Sequence, residues 1–140
     1  VLEDVVRAGK IRYIGCSNLM CWRLMKALHI SELKGFAGFE SLQAYYSIAS
    51  RELEWEIVPK LTDQKVGLLV WSPLAGGLLT DKFATDQGPA TARWSHYEPP
   101  IVSLVDTDCV SRCIRVMKEI AKEHNVSVAR IALARYCIKR

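Results

Sequence analysis

Residues 70–83 read VWSPLAGGLLTDKF. An apolar strand runs into a Trp-Ser-Pro corner at 71–73. A Gly-Gly pair at 76–77, a helix-like apolar stretch and Lys82 follow. A strand that ends on an indole, followed by flexible backbone and a cation, suits one of two purposes. It packs, or it holds something flat and anionic. The neighbouring strands decide between the two.

Upstream, IRYIGCSN at 11–18 reads as a short buried strand from Ile11 to Cys16 that turns at Ser17-Asn18. FESLQAYY at 39–46 is a second strand, and KVGLLVWSP at 65–73 is the third. Helical stripes separate them. Cys21, Leu24, Met25 and Leu28 recur at i, i+3, i+4 and i+7, and Gly35 and Gly38 mark the exit of that helix. Leu53, Ile57 and Leu61 mark the next helix, with Arg51, Glu54 and Lys60 facing outward. Leu2, Val5 and Val6 form a stripe closed by Gly9. Val110, Cys113, Ile114, Met117 and Ala121 share one face of a long helix, and Asn125 or Ser127 is placed to cap the last one.

The order is β-α-β-α-β-α, with strands that read as apolar on both faces, which predicts a parallel sheet covered by helices. Ser17, Tyr45 and Trp71-Ser72-Pro73 close successive strands about 28 residues apart, the length of one strand-helix unit. A doubly wound sheet and a (β/α)8 barrel both produce this spacing. The barrel fits better, because no G-x-G-x-x-G opens any helix. The fold class expected is therefore α/β, a partial (β/α)8 TIM barrel over residues 1–140.

Composition excludes several classes. The 140 residues carry a net charge of +4 with no basic stripe interleaved with aromatics, so no nucleic-acid partner is expected. No apolar run approaches the roughly 20 residues of a membrane span. The five cysteines are odd in number and sit in apolar patterns, which suits reduced thiols in a cytoplasmic protein. Cys109 and Cys113 lie one helical turn apart. They lack a second Cys/His pair at zinc spacing, and His29, His96 and His124 are scattered, so no metal site is expected.

In a barrel the site lies at the C-terminal ends of the strands. Ser17 and Asn18, Gln43, and Trp71 with Ser72 meet there. Asn and Gln pair with a carboxamide in both directions, while an indole stacks on an aromatic ring. Nicotinamide is a ligand of that kind. The Gly76-Gly77 backbone can approach a pyrophosphate, and Lys82 can meet a phosphate as a point charge. Each feature also has a structural explanation. Ser17-Asn18 ahead of a helix suits an N-cap, Gln43 a hydrogen bond across a barrel, Trp71 a core position, Pro73 with the glycines a turn, and Lys82 a solvated surface.

IRYIGCSN, SLQAYYS and VWSPLAGGLLTDKF resemble three consecutive motifs of the aldo-keto reductase superfamily. The likeness is nearest to the branch with Trp-Ser-Pro-Leu at the third motif, shared by bacterial reductases and potassium channel β subunits. VSVARIALARYCI at 126–138 extends it toward the C-terminus. The resemblance implies a barrel holding NADP(H) across its C-terminal face, with these strands as the fifth, sixth and seventh. It gives Ser17, Asn18 and Gln43 the nicotinamide carboxamide and Trp71 the ring face. Ser72, Pro73, Leu74, Ala75 and Gly76 fall along the pyrophosphate path, Lys82 closes over it, and Arg93 offers a second phosphate-side contact.

The resemblance also implies what this sequence does not hold. The family reduces a small-molecule carbonyl with a general-acid tyrosine, a lysine, an aspartate and a histidine or equivalent, all borne on its first four strands. Tyr13, Tyr45, Tyr46 and Tyr97 do not sit in that tyrosine motif, so no catalytic residue is expected here. The expectation is a barrel portion truncated at both ends, inactive alone, with open sheet edges and a hydrophobic inner face that leave it marginally stable. The shared Trp-Ser-Pro-Leu corner also permits, as the less favoured alternative, an NADPH-binding regulatory subunit of the potassium channel β type. In the loop from Thr85 to Val105, with Pro99-Pro100, Trp94 and Tyr97 suit either substrate walls or loop anchors, and the substrate is not read from them.

Overall fold

The computed structural model describes residues 1–80 and 107–137. The expectations placed on Lys82, Arg93, Trp94, Tyr97 and the rest of the loop from Thr85 to Val105 lie outside the described residues. The chain divides into two compact units, Val1–Tyr45 with Glu52–Trp71, and Tyr46–Arg51 with Ser72–Arg140.

The first unit is built on a parallel sheet of three strands in the order β1-β2-β3, namely β1 (Ile14–Ser17), β2 (Phe39–Tyr45) and β3 (Gly67–Trp71). Helix α1 (Leu2–Arg7) precedes β1, α2 (Cys21–Lys34) connects β1 to β2, and α3 (Ile57–Asp63) leads into β3. Strand β1 starts three residues later than the sequence suggests. Ile11 and Tyr13 are exposed, and pairing with β2 begins at Ile14.

The expected helix over Leu53–Leu61 is likewise divided. Glu52–Glu54 forms a 3-10 turn, and α3 starts only at Ile57. Pro59, in the first turn of α3, has no N–H to return to an earlier carbonyl, so the helix cannot extend backward through it.

The core of this unit lies on one face of the sheet. Leu42 and Ala44 of β2 pack with Leu24 of α2 and Leu61 of α3, and Cys16, Leu28, Ile57 and Leu68 lean on the same cluster. Fully burying a leucine contributes about 1.5–3 kcal/mol, and Leu42 has no exposed surface. Strand parity sends the alternate residues to the opposite face. There the register aligns Gly15 with Ser41 and Gly67, Ser17 with Gln43 and Leu69, and Tyr45 with Trp71.

That second face corrects the reading of strands apolar on both sides. Its residues are small or polar apart from Leu69, Tyr45 and Trp71. Ser17, Gln43 and Leu69 are exposed, whereas Leu42 and Ala44 are buried. Gly15 is set by close approach. A Cβ there would fall 2.5 Å from the Ser41 hydroxyl and 3.1 Å from its carbonyl oxygen.

The second unit joins α4 (Thr107–Glu123) to α5 (Val128–Cys137). Val110, Met117 and Ala121 of α4 and Val128 and Ala132 of α5 form its core with Ala75, Leu78 and Leu79. The stripe read from the sequence of α4 is the buried one. Ser127 caps α5 by accepting the Arg130 N–H at 3.3 Å, while Asn125 takes a positive φ of 52° just beyond the end of α4. Among the described residues no helix is long and apolar enough to cross a membrane, and no group of three or more His, Cys, Asp or Glu could hold a metal ion.

Candidate functional site

Ser17, Tyr45 and Trp71 are the last residues of β1, β2 and β3, so the expected positions do converge on one edge of the sheet. Parallel pairing places Ser17 beside Gln43 and Tyr45 beside Trp71. The backbone N–H of Asn18 continues the ladder and donates to the Gln43 carbonyl at 2.8 Å.

Asn18 has φ 52°, a left-handed conformation that asparagine tolerates better than most residues. The turn directs its amide toward β3, where Trp71 Nε1 donates to Asn18 Oδ1 at 2.9 Å. An indole N–H only donates, so the atom facing it must be the oxygen. That fixes the other end of the amide, and Asn18 Nδ2 donates to Ser17 Oγ at 3.1 Å. The Asn18 amide keeps one donor and one acceptor site in reserve.

Trp71 is thus held from two sides. The Asn18 oxygen takes its N–H, and Tyr45 lies against it with ring centroids 4.9 Å apart at an interplanar angle of 44°. Such aromatic contacts contribute about 0.5–1.5 kcal/mol beyond area burial. Gln43 is exposed, and its side chain makes no hydrogen bond among the described residues. Neither Ser17 nor Asn18 caps α2, whose N-cap is Met20 with no side-chain cap bond. The N-cap explanation for the serine-asparagine pair therefore does not apply to α2.

The corner after β3 belongs to the second unit. Ser72 has φ 52° and Ala75 φ 49°, and Gly76 and Gly77 have φ 69° and 108°. Ser72 Oγ accepts the Gly76 N–H at 3.0 Å, Ser72 O accepts from Ala75 at 2.8 Å, and Leu74 O accepts from Gly77 at 2.9 Å. These N–H groups are consumed inside the turn and are not donors for an anion. The glycines serve the backbone conformation. A Cβ at Gly77 would meet nothing within 4 Å, so only its φ requires glycine. Tyr136 of α5 steadies this segment, its hydroxyl lying 3.0 Å from the Tyr46 carbonyl oxygen and 3.2 Å from that of Pro73.

The donor set at the sheet edge fits a carboxamide on a flat ring. Gln43 and the reserve capacity of Asn18 can pair with an amide in both directions, Ser17 adds a hydroxyl, and Trp71 adds an immobilised aromatic surface. Sequence reasoning did not assign Tyr45 its part in holding Trp71. The signal was the parallel register itself, which sets the two strand-end aromatics side by side.

The sequence model of the aldo/keto reductase family matches residues 1–140. The chain belongs to that family. Aldo-keto reductase dtxS3 of Metarhizium robertsii is 34% identical over 135 residues, covering 95% of this chain and 35% of its own length. The versiconal hemiacetal acetate reductase of Aspergillus parasiticus is 33% identical over 144 residues, covering 95% and 38%. Protein tas of Escherichia coli is 30% identical over 133 residues, again covering 95% and 38%. This aldo/keto reductase chain therefore spans a little over a third of the length of the relatives it matches.

Proposed function

We propose that this chain is the nicotinamide-holding portion of an NADP(H)-dependent aldo-keto reductase, its three strands being the fifth to seventh of a (β/α)8 barrel. The observation that carries the reading is the set of strand ends, a tryptophan fixed by Asn18 and Tyr45 on the sheet face that also presents the exposed Gln43. When bound, the dinucleotide supplies a hydride for reduction of an aldehyde or ketone. The chain's own residues bind and orient it. Ser17, Asn18 and Gln43 hold the carboxamide, and Trp71 supports the ring. Ser72 to Gly76 run along the pyrophosphate path, with Lys82 and Arg93 supplying charge. Names borne by relatives, such as the Aspergillus hemiacetal acetate reductase, favour a carbonyl-derived substrate. The general acid and its partners are not among these residues, so the chain alone is expected to bind without turnover.

Calorimetric titration with NADPH and with 2′-phospho-ADP-ribose, which lacks nicotinamide, tests this. Gln43→Ala is expected to weaken NADPH binding about fivefold, the effect of one lost hydrogen bond near 1 kcal/mol, and to leave the nicotinamide-free ligand unchanged. Equal effects on both ligands, or no effect on either, would contradict the assignment.

A further inference from the structure

Helix α2 has two unlike sides. Cys21 and Leu24 are buried, and Leu24 packs with Leu28 in the core of the first unit. On the other side Trp22, Lys26 and Leu33 recur at i, i+4 and i+11, and Arg23, Ile30 and Lys34 run beside them. All six are exposed, Leu33 by 72%. Every charge among them is positive. Glu32, the one acidic residue of α2, falls on the opposite side of the helix from Arg23, where it lines a groove with Met25, Leu28 and Gln64. Arg23 stands over the Trp22 ring, 5.1 Å from its centroid, and Lys34 stands over that of Phe36 at 5.9 Å. Apolar surface and cations are interleaved on this face, which suits an acidic partner that brings an apolar anchor.

The same unit carries a segment of that kind. Glu52, Glu54 and Glu56 surround Trp55, and no cation falls between positions 52 and 56. The 3-10 turn Glu52–Glu54 fixes the backbone, and the Trp55 N–H donates to the Glu52 carbonyl at 3.2 Å. Leu53 and Ile57, on either side of Trp55, lean on the core that holds Leu24 of α2. The turn is thus anchored from both ends while its indole is 83% exposed. Glu52 and Glu56 are exposed with it. A tryptophan on an anchored backbone brings a large apolar surface to a contact at small entropic cost, and tryptophans of this kind dominate binding energies.

We propose that two copies of this chain pair about a two-fold axis, the Trp55 turn of each seated on the exposed face of α2 in the other. Trp55 adds its surface to that of Trp22, Ile30 and Leu33, and the glutamates of the turn meet Arg23, Lys26 and Lys34. The axis makes the contact twice, because each copy offers both elements. An anionic lipid surface would engage the cations of α2 but would give the acidic turn no role, so the pattern favours a second copy.

Sedimentation velocity of the full chain, across concentrations and at low and high salt, reads this equilibrium. The expected result is a monomer–dimer equilibrium that weakens as salt rises. Trp55→Ser should weaken the dimer about tenfold or more. Lys26→Glu/Lys34→Glu and Glu52→Lys/Glu56→Lys should each be monomeric alone. An equimolar mixture of the two should dimerise again, because both contacts regain opposite charges. Carbodiimide cross-linking of isotope-labelled with unlabelled wild-type chains should join Lys26 or Lys34 of one copy to Glu52 or Glu56 of the other. That measurement needs no variant, so a variant that fails to fold leaves the test intact. A chain that stays monomeric, association through the open sheet edges that charge reversal leaves unchanged, or cross-links confined to other residues would overturn the proposal. So would a monomer that binds phosphatidylserine vesicles through α2, which would assign the face to lipid.

Discussion

The indole N–H of Trp71 and the side-chain oxygen of Asn18 lie 2.9 Å apart, joining the ends of β3 and β1 across the strand that separates them. This bond gives Asn18 two duties, a left-handed turn and an anchor. They can be separated by substitution. Asn18→Gly keeps the turn and removes the anchor. It is expected to cost about 1 kcal/mol in chemical denaturation and to shift the Trp71 indole proton upfield in NMR. Asn18→Asp keeps an oxygen acceptor and should leave that proton near its original position.

The Ser72 hydroxyl closes the corner by accepting the Gly76 N–H at 3.0 Å. Ser72→Ala leaves that donor without its partner and is expected to lower stability by about 1 kcal/mol. Hydrogen exchange at Gly76 should accelerate, while exchange in β2 stays unchanged. A variant with unaltered exchange at Gly76 would mean that the bond does not define the turn.

Glu3 of α1 accepts the Ala37 backbone N–H at 2.7 Å and pairs with Arg7, and these two interactions, in that order, hold its carboxyl below the usual range. A carboxylate with a lowered folded pKa adds stability that is complete above its unfolded value, about 4.3, and is lost as pH falls through the folded value. Glu3→Gln should therefore melt earlier than the native chain at about pH 7. The gap should close below about pH 4. Thermal melts across that range check the sign, and a gap that widens in acid would refute it.

Leu42, fully buried between the sheet and helices α2 and α3, should be the costliest truncation in the first unit. Leu42→Ala is expected to lose about 2–5 kcal/mol in urea denaturation. Leu69→Ala, two residues from the end of β3 on the opposite face and 54% exposed, should lose far less.

What the sequence disclosed follows from which patterns are local. The 3.6-residue stripes of α2 and α4 and the apolar strands are repeated short-range signals, and each element formed where its stripe lay, except that β1 starts at Ile14 rather than Ile11. The strand ends at Ser17, Tyr45 and Trp71 were equally legible from their spacing. The break before α3 was not, because one proline inside an apolar stripe decides it. The open sheet face was missed because continuous apolar strands hide parity. Gly15, Ser41 and Gly67 only declare themselves as one row once the register is known. The Asn18–Trp71 bond spans 53 residues of chain and leaves no local trace. The proposed phosphate contacts, Lys82 and Arg93, fall outside the described residues.

The most direct test of the account is a titration of this chain with NADPH, following tryptophan fluorescence, with far-UV circular dichroism on the same sample. The account predicts saturable quenching that disappears in Trp71→Ala and persists in Trp22→Ala, whose indole is 58% exposed on α2. Absence of quenching from a folded sample, or quenching that survives Trp71→Ala unchanged, would contradict the assignment of Trp71 as the nicotinamide support.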